Sequence, residues 1–237
     1  MITVIVTSWK EPKTIGKCIK CIADSSYSGI ASTFEILQIS PDKETLDAGL
    51  KAAKELGLKR SQYIQIQDPQ KGKPYALKLA IEQAHGDILI FTDGDTYFER
   101  DSVKYLLEPF EDTSIGGVSG RPVSGDSKTN MMGYWGHLLS DAAHHRRINT
   151  MSEKNGNYYT SRKQFFPMSG YIMATRRLSF PIPHNVLSDD AYISYSIRNE
   201  GLQIAYAPLA KCYVKYPTNL KDYYKQKVRS LGGFIQL

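Results

Sequence analysis

Apolar and polar positions along the first ninety residues alternate between two periods. Residues 2–7, ITVIVT, form a short β-branched apolar run that predicts a buried strand. Over 12–24 the apolar residues Ile15, Cys18, Ile19 and Ile22 fall on one helical face, with Pro12 suited to a first turn. TFEILQI (33–39) reads as a second strand, and 44–57 as a second helix stopped by Gly57. QYIQIQ (62–67) alternates like a strand, KPYALKLAIEQAHG (73–86) reads as a helix closed by Gly86, and DILIFT (87–92) as a fourth strand. Strands separated by helices imply right-handed crossovers and a mostly parallel sheet, so the class is α/β.

The second half loses this rhythm. A strand is expected over 115–123 and a helix over 129–149, followed by a polar stretch, TMSEKNGNYYTSRK (150–163), read as a mobile loop. Then come FFPMSGYIMAT (165–175), a helix near 189–200, short strands near 202–206 and 211–216, and a helix from about 219. Repeats and low-complexity tracts are absent. The expected organisation is one domain over 1–237, with a nucleotide-binding half (1–97) and an acceptor-binding half (98–237).

Bulk composition narrows the class. The chain has 237 residues, 41% hydrophobic and 23% charged, ordinary for a globular protein with a sizeable core. No apolar run reaches the roughly 18–20 residues that span a bilayer, and no basic-then-apolar leader pattern opens the chain. The apolar close, LGGFIQL, reads as running toward a membrane-associated continuation. Three cysteines do not make a disulfide framework, so a reducing, cytoplasmic location is expected, including the cytoplasmic face of a membrane. The net charge is +6, and from Lys211 onward six basic residues face one acid, Asp222. Such an end suits phosphate or peripheral contact with an anionic membrane, and equally a solvated surface. The basic residues are too scattered for a nucleic-acid platform, so no nucleic-acid partner is expected.

Candidate chemistry centres on GDILIFTDGDT (86–96). A buried strand runs into Asp93-Gly94-Asp95, and ligands of parallel sheets sit beyond the carboxyl ends of strands. Two carboxylates one residue apart repel each other and are costly to desolvate. A divalent cation, Mg²⁺ or Mn²⁺, offsets both penalties and is commonly shared with substrate phosphates. The competing explanation is a plain turn, since Asp and Gly are turn residues.

With VIVTSWKEP at the start, DPQKGKPYALKLAIEQAHGDILIFTDGDT in the middle and LSDDAYISYSIRNEGLQIAYAP later, the chain resembles glycosyltransferase family 2 in matching order over nearly its whole length. The resemblance implies a GT-A type, Rossmann-like mixed sheet, mostly parallel, with helices on both faces. It also implies inverting transfer of a sugar from a nucleotide-diphospho-sugar donor, UDP being the commonest nucleotide, to a hydroxyl of a glycan or lipid-linked acceptor. Thr7, Trp9 and Glu11 match the segment that holds the nucleoside. Ser40 and Pro41 stand at the usual acidic places after the second strand, with Asp42 next and able to take the base-reading role. Lys71 and Lys73 match the basic loop near the nucleotide. Asp93, followed by Gly94, matches the carboxylate near ribose and metal, and Asp95 the metal ligand, for Mn²⁺ or Mg²⁺. Asp190 falls at the catalytic base, with Asp189 its neighbour; helix capping is the ordinary alternative for both. Gln226 and Arg229 partly match a Gln-x-x-Arg-Trp motif, with Ser230 in place of Trp. Ser169 and Gly170 lie in a segment that resembles the family's acceptor-side loop.

Other signals carry less. Cys18 and Cys21 have C-x-x-C spacing but lie mid-helix without a second pair, so Cys18 is expected in the core. His144-His145-Arg146-Arg147 suits a phosphate or lipid head group, but the exposed face of a helix is preferred. Gly116, Gly117 and Gly120 lack the strand-to-helix context of a phosphate loop. Two other readings compete with the transferase. A nucleotidyltransferase needs glycines after the first strand, which TSWKEPKT lacks. The other is a nucleotide-sugar-binding or scaffold domain of the same fold that has lost catalysis, against which Asp93, Asp95 and Asp190 together argue.

Overall fold

The computed structural model describes residues 1–27, 33–161, 164–177 and 180–236. Its first half follows the expected alternation: β1 (Ile2–Thr7), α1 (Ile15–Tyr27), β2 (Phe34–Ser40), α2 (Lys43–Glu55), β3 (Tyr63–Gln67), α3 (Lys73–Gln83) and β4 (Ile88–Asp93). After it come β5 (Tyr97–Phe98), α4 (Ser102–Leu107), β6 (Ile115–Ser124), α5 (Met131–Thr150), β7 (Ser152–Lys154), β8 (Asn157–Tyr159), β9 (Met173–Arg176), α6 (Asp189–Asn199), β10 (Gln203–Val214) and α7 (Leu220–Gln236).

One sheet joins both halves, in the order β3-β2-β1-β4-β9-β6-β10-β8-β7, with β5 also paired to β10. β1, β2, β3 and β4 pair in parallel. β9 enters antiparallel between β4 and β6. That double reversal leaves β6, and β10 beside it in parallel, running the same way as β4. All the long strands therefore share one direction. Period-2 alternation divides the core into two layers. Val4, Val6, Ile36 and Ile90 face α1 and α4, against Ile19, Ile22 and Leu106. Ile5, Leu37, Leu89 and Phe91 face α3 and α6, against Leu77, Ala80 and Ile193. Helices cover both faces, and burial of these side chains is the main force that closes them down.

Several expectations are corrected. Pro12 lies in the turn before α1, because the N–H groups of Thr14 and Ile15 both bond to Glu11 O and the helix starts later. Gly86 does not close α3, which ends at Gln83. A Cβ at Gly86 would run into the backbone of Thr3, so glycine there permits close approach to β1. The polar stretch over 150–163 contains a hairpin, β7 with β8, turned by Asn155 (φ 53°) and Gly156 (φ 75°). Both φ values are positive, as a two-residue hairpin turn requires. Arg162 and Lys163 of that stretch lie outside the described residues. The two short strands expected over 202–216 are one strand, β10, whose register against β6 shifts between Tyr206 and Lys211.

Candidate active site

β1 and β4 are adjacent and in register, pairing Thr7 with Asp93 at their carboxyl ends. Thr7 Oγ1 donates to Asp93 Oδ1 at 2.8 Å, and the Gly94 N–H donates to Thr7 O at 2.9 Å. α3 begins at Lys73, after Gly72 at φ 98°, and this sharp entry aims Lys73 at the same carboxylate. Lys73 Nζ lies 2.7 Å from Asp93 Oδ1 and 3.7 Å from Asp189 Oδ2, in the first turn of α6. Burial alone would lower the Lys73 pKa, but Asp189 and Asp93 outweigh it and hold it well above its ordinary value. Burial pushes Asp189 up despite Lys73.

The acidic cluster is under-compensated. Glu11 is pushed up to about 8, first by burial and then by Asp95 and Asp93. Its Oε2 is shielded from water and has no hydrogen-bond partner. Burial and then Asp93 also raise Asp95. Gly94 is the only residue type that fits between these groups, since a Cβ there would collide with Glu11 Oε2 and sit 2.8 Å from Ser8 Cβ. Among the described residues no three His, Cys, Asp or Glu side chains group to hold a metal by themselves.

Two clefts flank this network. The first, of about 510 Å³, is lined by Thr7, Trp9, Glu11, Lys73, Asp93 and Arg229, among others. Trp9, 54% exposed, borders it, with Lys10 Nζ over the ring 4.9 Å from its centroid. The second, of about 460 Å³, is lined by Asp190, Ser169, Tyr171 and cationic residues of β6, α5 and α7. The Gly170 N–H donates to Asp190 Oδ2 at 3.1 Å, and Ser188 Oγ donates to Oδ1 at 2.6 Å. Oδ1 also accepts the Ala191 N–H at 2.8 Å, so Asp190 satisfies a free amide of the helix start while lining the cleft. The Ser169 N–H bonds to Ser119 Oγ at 3.0 Å. Gln226 Nε2 donates to Tyr171 OH at 3.3 Å, tying α7 to the loop before β9.

Some candidates stand apart. Asp42 caps α2, accepting from Thr45 N, and also takes the Lys10 N–H at 2.8 Å and Ser40 Oγ at 3.1 Å. Burial opposes its ionisation, but these hydrogen bonds outweigh it and hold Asp42 at about 2. Its neighbour Pro41 lines the first cleft, whereas Asp42 does not. Lys71 is exposed and lies over the Tyr75 ring, 5.2 Å from its centroid, bordering a separate hollow with His184. Cys18 is buried in the core, its thiol pushed well up by burial and then Cys21.

Sequence reasoning overlooked Asp68. It follows β3, is 7% exposed, lines the first cleft and is raised by burial. Its position beyond a parallel strand end was the available signal. The His-Arg run of α5 also divides differently from expectation: His145 and Arg146 are exposed and His144 and Arg147 partly buried, and all but His145 line the second cleft.

The model of the family described as Glycosyltransferase like family 2 matches residues 1–233. A poly-β-1,6-N-acetyl-D-glucosamine synthase of Staphylococcus aureus is 26% identical over 181 residues, covering 72% of this chain and 40% of the synthase. The chain thus spans less than half the length of that relative. The fold matches a mannosyltransferase of Pyrobaculum calidifontis, solved with GDP-Man and Mn²⁺, at TM-score 0.73 and 19% identity. That match covers 99% of this chain and 62% of the other. It also matches GalNAc-T7, solved with UDP, GalNAc and Mn²⁺, at TM-score 0.64 and 17% identity, over 92% of this chain and 44% of the other.

Proposed function

The chain belongs to glycosyltransferase family 2, and from that premise we propose that it moves a sugar, with inversion, from a nucleotide-diphospho-sugar to an acceptor hydroxyl on a glycan or lipid-linked acceptor. The observation that carries this reading is the junction of the two clefts. Thr7, Lys73, Asp93 and Asp189 form one bonded network there, with Asp190 at the wall of the second cleft.

In this reading the first cleft takes the donor. Trp9 offers an aromatic face to the base. Asp68 offers a carboxylate to a base N–H, which uracil and guanine both possess; UDP is the first candidate and GDP the second. Arg229 and Lys73 meet the diphosphate as cations. Asp42, already saturated with hydrogen bonds, keeps the loop at Lys10 in place. Asp93 and Asp95 fit a divalent cation, Mn²⁺ or Mg²⁺. Asp93 is paired with Lys73, whereas Asp95 and the orphaned Glu11 oxygen behind it have no ion-pair partner among the described residues, and two protein carboxylates leave the remaining positions to phosphate and water. When bound, such a cation offsets the charge that develops on the departing diphosphate.

The acceptor hydroxyl enters from the second cleft. Its oxygen attacks the anomeric carbon as the bond from that carbon to the diphosphate oxygen breaks on the opposite side. Asp190 takes the hydroxyl proton, and its anion is oriented by the Gly170 N–H and Ser188 Oγ. Asp189 is a positioning residue: its pairing with Lys73, which also faces the donor, holds α6 against the end of β4. The location belonging to this reading is cytoplasmic, at the membrane face where the acceptor is lipid-linked.

Thermal unfolding with a panel of nucleoside diphosphates, with and without Mn²⁺, tests the reading. A ligand specific to the folded state adds about 2.7 kcal/mol at a hundred times its dissociation constant. A Mn²⁺-dependent rise with one nucleotide, lost in Asp95→Asn, supports the donor site. No rise with any nucleotide in folded protein points to a domain of the same fold that has lost catalysis.

A further inference from the structure

The second cleft has a charge pattern that taking up a hydroxyl does not require. Arg121, Arg146, Arg147 and Lys227 line it, from β6, α5 and α7. Asp190 lines it too, and Asp141 lies beside it, paired with Arg121 at 3.2 Å. Four cations against two carboxylates leave a local excess of two positive charges. Among the described residues, Arg146, Arg147 and Lys227 have no acidic partner within ion-pair distance. Each lies instead over an aromatic ring: Arg146 over Phe166 at 5.1 Å, Arg147 over Tyr206 at 5.3 Å and Lys227 over Tyr223 at 5.3 Å.

Two further observations show guanidinium donors that the protein itself leaves unused. Arg121 Nε–H is shielded from water and has no acceptor, even though another nitrogen of the same guanidinium holds Asp141. A buried donor without an acceptor is costly and calls for an explanation. Arg147, half-buried, spends one N–H on Pro167 O at 3.3 Å, a weak bond for a fork of five donors. The positive field is also felt by His144, whose Nδ1 lies 2.8 Å from Tyr206 OH. Burial, then Arg121, drives its pKa down to about 4, so at neutral pH the imidazole adds no charge of its own.

We propose that the second cleft binds an oxyanion carried by the acceptor, a phosphate or carboxylate seated on Arg121 and Arg147 with Arg146 and Lys227 at the mouth. This names the chemical class of the acceptor and rests on reading that cleft as the acceptor side. Guanidinium forks suit such a group because they donate two parallel hydrogen bonds to its planar edge. Tyr171 and Tyr216, which also line the cleft, favour a sugar-borne anion over a free ion, since pyranose faces pack on aromatic ones.

Isothermal titration of the whole chain at low salt tests this with four probes. These are glucose 6-phosphate, methyl glucuronide, neutral methyl glucoside and phosphatidylglycerol vesicles. The expected result is at least tenfold tighter binding of one soluble anionic sugar than of methyl glucoside. Arg147→Gln abolishes that preference, and Lys227→Gln, an exposed substitution that does not threaten folding, reduces it several-fold. Equal binding of charged and neutral sugars overturns the proposal. So does a preference untouched by both substitutions but lost in Arg229→Gln, which would put the anion in the first cleft. Vesicle binding without binding of either soluble anion also overturns it, in favour of a membrane contact. Nucleotide-dependent stabilisation of the same wild-type sample tests the donor reading separately. If that stabilisation is absent while the Arg147-dependent preference persists, the donor reading falls and the anion site stands.

Discussion

Lys73 Nζ lies 2.7 Å from Asp93 Oδ1, joining the first residue of α3 to the last residue of β4. With Asp189 3.7 Å away on the other side, this one ammonium separates two partly buried carboxylates. Lys73→Met leaves them facing each other. The expected loss is about 1–3 kcal/mol at pH 7, discounted for the partial exposure of the pair. Urea unfolding measures it, and an unchanged midpoint would show that solvent already screens the two acids.

Asp190→Asn keeps an oxygen to accept the Gly170 N–H but cannot take a proton. Sugar transfer is expected to fall by about 10²–10⁴-fold. Nucleotide-dependent stabilisation should survive, because Asp190 lines only the second cleft. Turnover within a few-fold of wild type would remove Asp190 from the proton transfer.

Glu11 titrates near 8 in the folded protein, against an ordinary value of 4.5. The folded state therefore holds its proton more tightly than the unfolded chain between those limits. Stability attributable to this group is present in full below about 4.5 and is lost as pH rises through 8. Glu11→Gln removes the loss. Its melting temperature should exceed that of wild type at pH 9 by a few degrees, at about 2–4 °C per kcal/mol in a domain of this size. The two should converge at about pH 4 and below. Parallel melting curves at every pH would show that Glu11 ionises freely.

Gly94→Ala places a methyl group against Glu11 Oε2 and Ser8 Cβ. Overpacking of this kind costs typically about 1–3 kcal/mol. Because β1 and β4 must shift apart to admit it, nucleotide-dependent stabilisation should weaken along with global stability. A variant as stable as wild type, with nucleotide binding intact, would mean that the Glu11 side chain swings away.

The strands and helices up to Asp93 were legible in the sequence because each buries one face or two, and burial writes a period of 2 or 3.6 into the residues. The pairings of the second half were not. Met173–Arg176 is four residues long, and its place between β4 and β6 is a long-range choice that no local period records. The Asn155-Gly156 pair is a legible turn signal, but the polarity on either side of it reads as loop rather than strand. The order of motifs pointed to Thr7, Lys73, Asp93 and Asp190, which the fold brings to one junction. Asp42 was the nearest acid to the expected position, yet its capping bonds turn it away from the cleft. Asp68 stands just beyond a strand end and Arg147 in a basic run, but which cleft each lines depends on strand ends and helix faces meeting in three dimensions.

α7 presents Arg229 to one cleft and Lys227 with Ser230 to the other, and Gln226 fastens it between them. A helix of this length moves as a rod. One helix thus supplies wall to both openings, so a substitution that reseats α7 alters the two clefts together rather than one at a time.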